Sequence, residues 1–292
     1  MTNYDAKYAE YLTYFNNCLD KRLLTLDKTT SSIITDAMIY AVAGGGKRVR
    51  PVLCFAVADM LGISLKEVEV YALAIEMIHS YSLVHDDLPA MDNDDYRRGK
   101  LSTHKKFGEA FGVLAGDALL NFAFEYALSK ENFSLTDAKA LKFLAICAGS
   151  SGMIGGQTLD LLNEKNDNVN EDDLYKIYIN KTSKLLVAPI IIASIFADKD
   201  YSDKLSEYGL NLGVMFQISD DIIDEKGDKS NIGKTPGKDK VQDKLTSIKT
   251  FGFEGSLHQL KYHYDKCLNI ISEFDNNQFL LEFTQKMFER TK

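Results

Sequence analysis

The stretch Ser82–Gly99, SLVHDDLPAMDNDDYRRG, holds five aspartates and then two adjacent arginines. The carboxylates are Asp86, Asp87, Asp92, Asp94 and Asp95, and the guanidiniums are Arg97 and Arg98. Carboxylates this close repel one another unless cations sit among them. Hard divalent cations such as Mg²⁺ bind through one or two carboxylates plus phosphate oxygens, and arginine grips phosphate through paired hydrogen bonds. A second cluster lies in FQISDDIID, where Asp220 and Asp224 are four residues apart with Asp221 between them. On a helix that spacing stacks Asp220 over Asp224, one turn apart, which costs roughly a few tenths of a kcal/mol. A shared metal or metal–phosphate would offset it. Either cluster alone also reads as a solvated helix end; Phe216, Ile218, Ile222 and Ile223 argue against that for the second.

Cations suited to phosphate lie around the two clusters. Gly46-Lys47-Arg48-Val49-Arg50-Pro51 carries three just after a glycine turn. His79 precedes Asp86 by two turns, about 10 Å of helical rise. Lys181-Thr182 interrupts an otherwise apolar stretch, and Lys234, Lys238 and Lys244 follow the second cluster. Each lysine alone reads as a surface solubiliser and His79 as a core histidine. The arrangement as a whole suits a diphosphate.

Helices are needed to position these groups. Apolar residues recur at three- and four-residue spacing in Glu67–Val84, Phe111–Leu128, Asp137–Cys147, Asp172–Ala197 and Leu205–Ile223. No Asn-Gly hairpin signal or sustained alternation is present. The chain therefore reads as all-α, with roughly ten to thirteen helices. Gly44-Gly45-Gly46 should end one helix, Pro51 should sit in the first turn of the next, and Gly62 should end that one. Ser64 and Glu67 match a capping box. Pro89 should break the helix bearing Asp86 and Asp87, so that Asp92 returns from a loop. Stretch 227–243 reads as the one long polar loop. One domain, 1–292, is the simplest organisation, with no repeat and no linker.

Composition excludes several function classes. The 292 residues are 45% hydrophobic and 26% charged with net charge −8, which argues against a nucleic-acid surface. Cys18, Cys54, Cys147 and Cys267 show neither zinc-ligand spacing nor a disulfide framework. The N-terminus lacks a signal-peptide pattern, and no apolar run is clearly long enough to span a bilayer. A cytoplasmic protein without stable membrane insertion is expected.

GGKRVRP (Gly45–Pro51), HDDLPAMDNDDYRRG (His85–Gly99), GDALL (Gly116–Leu120), GGQTLDL (Gly155–Leu161), KTSKLL (Lys181–Leu186) and FQISDDIID (Phe216–Asp224) occur in this order. Together they resemble the short-chain trans-prenyl diphosphate synthases over nearly the whole chain. The four residues between Asp87 and Asp92 are similar to the spacing in bacterial farnesyl and in plant and bacterial geranylgeranyl enzymes. The resemblance implies an all-α isoprenoid-synthase bundle with a central cavity. It also implies head-to-tail condensation of isopentenyl diphosphate with dimethylallyl or geranyl diphosphate. By motif position it implies three Mg²⁺, two held by Asp86 and Asp92 with Asp87 beside them, and one held by Asp220 with Asp221 and Asp224. It assigns Arg97, Lys181 and Lys234 to the allylic diphosphate, and Lys47, Arg50, His79 and Arg98 to isopentenyl diphosphate. Thr182 and Gln217 would lie near the developing carbocation. The family is mostly homodimeric, so a homodimer is expected.

In this family the product tail grows along the helix before the first aspartates. Tyr81 and Ser82 lie about 6–8 Å before Asp86 by helical rise, and a tyrosine there would stop elongation. The pair resembles the farnesyl enzymes, which implies a C15 product, with C20 as the alternative. Two departures stand out: Lys244-Leu245-Thr246-Ser247 replaces the family's Lys-x-Thr-Tyr-Pro, and Ser183 stands where glycine is common. The C-terminal Arg290 and Lys292 are further candidates for phosphate contact. A terpene cyclase would not need the second set of cations. A metal phosphohydrolase would need more ligands than His79, His85, His104, His258 and His263 supply. A non-catalytic partner subunit would not need both aspartate clusters.

Overall fold

The computed structural model describes residues 3–164, 166, 170–226 and 244–291. Thirteen α-helical segments appear among them, with one two-residue ribbon. In order these are α1 (Asn3–Leu23), α2 (Ser32–Ala43), α3 (Val49–Met60) and α4 (Leu65–Asp86), then β1 (Tyr96–Arg97) and β2 (Lys100–Leu101). After them come α5 (Thr103–Phe107), α6 (Glu109–Leu128), α7 (Leu135–Ala148), α8 (Met153–Asn163) and α9 (Glu171–Ile177). A π-helical turn (Tyr178–Ser183) leads into α10 (Lys184–Ser194), followed by α11 (Ser202–Lys226), α12 (Ser247–Ile271) and α13 (Gln278–Glu289).

α4 is the axis of the bundle. From Val70 to Ile78 every side chain is buried, so the helix has no solvent face there and must be enclosed. α3, α6 and α10 enclose it. Each fully buried side chain such as Leu73, Ile75 or Ile78 contributes about 1.5–3 kcal/mol. On the other side of α10, α11 packs against α10, α12 and the π-turn. A single cluster of buried residues runs from α1 to α13.

The expected helix limits agree closely with those found, and three local differences have physical causes. Ser64 caps α4 through the Lys66 amide at 3.4 Å, and Glu67 lies 3.9 Å from Lys130 instead of closing a reciprocal box. Reciprocal boxes form at Ser134/Asp137 and Asn170/Asp173. The β1–β2 ribbon turns on Arg98-Gly99, both at positive φ (54° and 74°), without the asparagine that usually marks such a turn. The Arg98 guanidinium donates to Gly45 O at 2.5 Å, which offsets the strained backbone. The run Asp172–Ala197 is not one regular helix. It widens into the π-turn, where Lys184 N–H reaches Ile179 O, before α10 resumes with Pro189 inside it.

α6 is long and apolar enough by composition to cross a membrane. It is seated in the bundle against α4, α2 and α5, with Asp117, Asn121 and Glu125 on its outer side. The outer faces of α6, α7 and α8 expose Val113, Leu114, Leu128, Leu135, Ile146 and Leu162. All four cysteines are free thiols.

Candidate active site

Backbone interruptions build most of the site. Pro89 stops α4, and the chain folds back at once. Asp92 N–H donates to Asp86 O at 2.8 Å, Asn93 N–H to Leu88 O and Asp94 N–H to Asp87 O at 3.1 Å each. That compact turn, with Asn93 at φ 50°, brings Asp92 back beside Asp86. The four intervening residues are what the turn needs. Asp86, Asp92 and Asp94 face a cavity of about 550 Å³. Asp220, Asp221 and Asp224 on α11 line the same cavity.

Asp87 does not line this cavity; it is 2% exposed and accepts from Arg97 Nε at 3.0 Å and from Arg97 Nη2. It thereby aims Arg97, which does line the cavity. Asp221 is likewise a structural hub. Its carboxylate accepts from the Tyr178 hydroxyl, from Ser247 N–H at 2.7 Å and from Gln217 Nε2 at 3.2 Å. It therefore ties α11 to the π-turn and to the positive end of α12. Burial and Asp221 push the Tyr178 phenol well above its usual range, so it stays a donor.

Lys47, Arg50, Arg98 and the imidazole of His79 line the same cavity. Arg48 caps α3 with φ 48°, and its buried guanidinium pairs with Glu76 at 2.7 Å and donates to Val42 O at 2.7 Å. Of the three cations in the Lys47–Arg50 turn, Arg48 is thus the anchor. Burial lowers Arg50 to about 10, with Glu76 working against the drop. Burial lowers Lys47 and Arg98 too. Burial, then Arg50 and Arg98, holds His79 well below the usual histidine range, so it is a neutral imidazole. Several cations desolvated together are a site complementary to a polyanion.

The π-turn presents Lys181 and Thr182. π-bulges recur at functional sites because the wider turn re-aims side chains. α8 comes very close here: Gly156 packs on the Lys181 backbone, and Asp160, one turn on, binds Lys181 Nζ at 2.5 Å. Burial opposes the Lys181 charge, but Asp160 and then Asp86 outweigh it and raise its pKa. Thr182 Oγ1 donates to Gln217 Oε1 at 2.9 Å, and Gln217 donates on to Asp221. Gly116 of GDALL is explained by His85: a Cβ there would lie 2.1 Å from His85 Nε2, which sits 3.0 Å from Val113 O.

Tyr81 is 4% exposed and packs edge-on to His85, 5.8 Å between rings, outside the wall of this cavity. Its hydroxyl finds no hydrogen-bond partner among the described residues. Ser82 Oγ donates to His79 O at 2.9 Å. Lys234 and Lys238 lie outside the described residues. Lys244 and Arg290 both enter the cavity, Lys244 3.1 Å from Asp92 and Arg290 2.8 Å from Asp220. Asp160 was not given a role from the sequence; its one signal was its place in GGQTLDL. Of the five histidines only His79 lines the cavity; His104 bonds to Ser102 and His263 to Asn211.

Among the described residues, no group of three His, Cys, Asp or Glu side chains forms an all-protein metal cage. The carboxylates instead line one cavity in two sets, together with several cations. A donor set of hard oxygens shared with a phosphate fits Mg²⁺, which keeps few protein ligands.

The polyprenyl synthetase family matches over residues 31–278. The chain is 39% identical to a farnesyl diphosphate synthase of Micrococcus luteus, across 95% of this chain and 96% of that one. It is 41% identical to geranylgeranyl pyrophosphate synthase 4 of Arabidopsis thaliana, across 82% and 65%. The fold is similar, at TM-score 0.85 and 30% identity over 100% and 98% of the chains, to Helicobacter pylori geranyltransferase complexed with magnesium and isoprenyl diphosphate. A match over most of the length, on a helical bundle with both aspartate clusters facing one cavity, has one meaning: the chain belongs to the polyprenyl synthetase family.

Proposed function

We propose that the protein joins isopentenyl diphosphate head-to-tail to dimethylallyl or geranyl diphosphate, releasing diphosphate and making (2E,6E)-farnesyl diphosphate. The observation that carries this reading is the shared cavity, lined by both aspartate sets and by Lys47, Arg50, His79 and Arg98. Two anionic groups need two cationic places, and a cyclase acting on one diphosphate needs one. Asp86 and Asp92 would hold two Mg²⁺, and Asp220 one, with Asp224 a turn away. Bound there, the metal acts as a Lewis acid on the departing diphosphate.

The chain's own groups do the rest. Arg97, aimed by Asp87, and Lys181, kept charged by Asp160, bind the allylic diphosphate together with Lys234. Positive charge set in advance where negative charge develops is the largest source of rate. Thr182 donates its proton to Gln217, so it offers a carbocation oxygen lone pairs and no competing donor. Leu83, Ile177, Leu186, Phe216 and Met287 wall the cavity and keep water from the cation. Neutral His79 hydrogen-bonds the second diphosphate without adding charge. The departing diphosphate is the proton acceptor. Tyr81, below Asp86 on α4, sets the C15 limit, with Ser82 beside it.

The apolar outer faces of α6, α7 and α8 are read as the contact between two copies of a single-domain, cytoplasmic enzyme. Sedimentation at micromolar concentration checks this; a monomer alone would remove it.

The functional test is incorporation of labelled isopentenyl diphosphate with Mg²⁺ and each allylic starter. A single C15 product is expected. A C20 product would keep the reaction and replace the chain-length reading. Asp86→Ala and Asp220→Ala should abolish transfer and leave the fold; full activity in either would overturn the metal assignment. Folded protein that incorporates nothing would overturn the function.

A further inference from the structure

Two of the aspartates read as metal ligands are each engaged by a cation of the chain itself. Lys244 Nζ lies 3.1 Å from Asp92 Oδ1, and the two side chains are only 13% and 9% exposed. Arg290 Nη2 donates to Asp220 Oδ1 at 2.8 Å. Arg290 and Asp220 are more open, at 20% and 38% exposed, but both side chains line the same cavity. Lys244 precedes buried Leu245 at the approach to α12. The Arg290 guanidinium rests 4.6 Å over the Phe216 ring, and Lys226 holds the neighbouring Thr291 O at 2.5 Å. One cation thus comes from the start of α12 and the other from the end of α13, and each reaches a different aspartate set.

A buried carboxylate tolerates the exchange of one cation for another far better than the loss of its partner. A dication arriving alone at Asp92 or Asp220 has to displace an ammonium or a guanidinium. The displaced group then loses its closest ion pair inside a partly desolvated cavity. A diphosphate arriving with the metal supplies a replacement anion. Arg290 also faces Lys47: burial lowers the Lys47 pKa, Arg290 adds to the drop and Asp220 opposes it. The groups on both sides of this exchange therefore sense one another.

We propose that Lys244 and Arg290 are exchangeable counter-cations. They hold Asp92 and Asp220 ready, oppose the binding of a divalent cation by itself, and turn to the diphosphate when both arrive together. This rests on the reading of Asp92 and Asp220 as metal ligands. Its consequence is a coupling between metal and diphosphate that these two side chains create, and by linkage each ligand strengthens the other equally.

Calorimetry on the full chain tests it, with Mg²⁺ alone and with Mg²⁺ at saturating inorganic pyrophosphate. The proteins are wild type, Arg290→Gln, Lys244→Met and Lys244→Arg. Wild type should bind Mg²⁺ roughly tenfold or more tightly when pyrophosphate is present. Arg290→Gln and Lys244→Met should bind Mg²⁺ alone roughly fivefold more tightly than wild type, with the pyrophosphate enhancement reduced by a similar factor. Lys244→Arg should behave as wild type. In EDTA the neutral variants should melt lower than wild type, and Mg²⁺ should close that gap. If Lys244→Met does not fold, Arg290→Gln at the chain end decides alone. Variants that bind Mg²⁺ alone no more tightly than wild type overturn the inference and leave the proposed function standing. Wild type that binds neither Mg²⁺ nor Mg²⁺ with pyrophosphate overturns both.

Discussion

Gly156→Ala is the sharpest test of how the fold sets the chemistry. A Cβ at position 156 would lie 2.0 Å from Lys181 N and 2.5 Å from Asn180 C. Both are backbone atoms, so no rotamer relieves the clash. α8 and the π-turn must part by about 1 Å before the contact becomes even a very tight one. The Asp160–Lys181 pair, on the same two elements, resists the separation. Overpacking of this kind costs about 1–3 kcal/mol, which in a domain of this size lowers Tm by roughly 2–10 °C. The effect on rate should be larger. Lys181 and Thr182 sit on the turn that moves, and a displacement of about 1 Å costs up to about a hundredfold in turnover. KM for isopentenyl diphosphate should change little, since Lys47 sits in the turn before α3, Arg50 on α3, His79 on α4 and Arg98 in the ribbon turn. Thermal melts and steady-state kinetics with both substrates read all three quantities. Thr158→Ala, at an exposed position of the same helix, is the control and should stay within about 0.5 kcal/mol. A Gly156→Ala protein with wild-type Tm and kcat would refute the claim that this contact positions Lys181.

Asp160→Asn leaves the Lys181 ammonium, on a side chain 26% exposed, with Asp86 and Asp92 as its remaining opposite charges. Breaking a fully buried pair costs about 3–5 kcal/mol, and the partial exposure and those two carboxylates should hold the loss below that range, read by urea denaturation, with a raised KM for the allylic substrate. Tyr81→Ala should lengthen the product from C15 to C20 by chromatography of the dephosphorylated alcohols; an unchanged C15 product would remove Tyr81 from chain-length control. His263 is held down to about 4 by burial, with Lys266 adding to it. Unfolded chains take up that proton near pH 6.5 and the folded one does not. Stability is therefore full above pH 6.5 and falls as pH drops toward 4, by up to about 1.4 kcal/mol per unit. His263→Gln should flatten that part of the Tm–pH curve, and an unchanged slope would refute the assignment.

Much of this was legible in the residues because local chemistry and tertiary role coincide. Pro89 ends α4 where it must, and Gly62 at φ 74° closes α3 as a glycine should. The two aspartate sets reach one cavity because each lies at a helix end facing the bundle interior. What escaped sequence reading depends on distant partners. Asp87 and Asp221 look like their neighbours in DD pairs, yet Asp87 turns away from the cavity to hold Arg97, and Asp221, while lining it, is committed to the Tyr178–Ser247 corner. Asp160 gains meaning only from Lys181, 21 residues on. The π-turn has no signature of its own in a run whose apolar spacing reads as one helix. Arg290 was a candidate from its place near the C-terminus and Lys244 departed from the family pattern, and packing brings both to the site. The chain-length reading is the least direct, since Tyr81 stands behind the wall of the open cavity, against His85.

The placement of charge explains why the sequence was readable at all. A helix carries partial negative charge at its C-terminus, so a carboxylate in the last turn loses about 0.3–1 kcal/mol where a cation would gain it. Asp86 is the last residue of α4, and Asp224 lies in the last turn of α11. Both helices therefore put carboxylates at the wrong end for their own stability. Around them, Arg97, Lys181, Lys244 and Arg290 make ion pairs with Asp87, Asp160, Asp92 and Asp220, members of one charged constellation. A fold selected for stability alone would put Lys or Arg at those helix ends and apolar residues beneath them. Misplaced acid beside desolvated base, enclosed by an apolar bundle, is a structure under electrostatic tension. On the proposed function, that tension is what a dication and a diphosphate entering together would relieve, so the same residues that weaken the two helices would draw both ligands to one place.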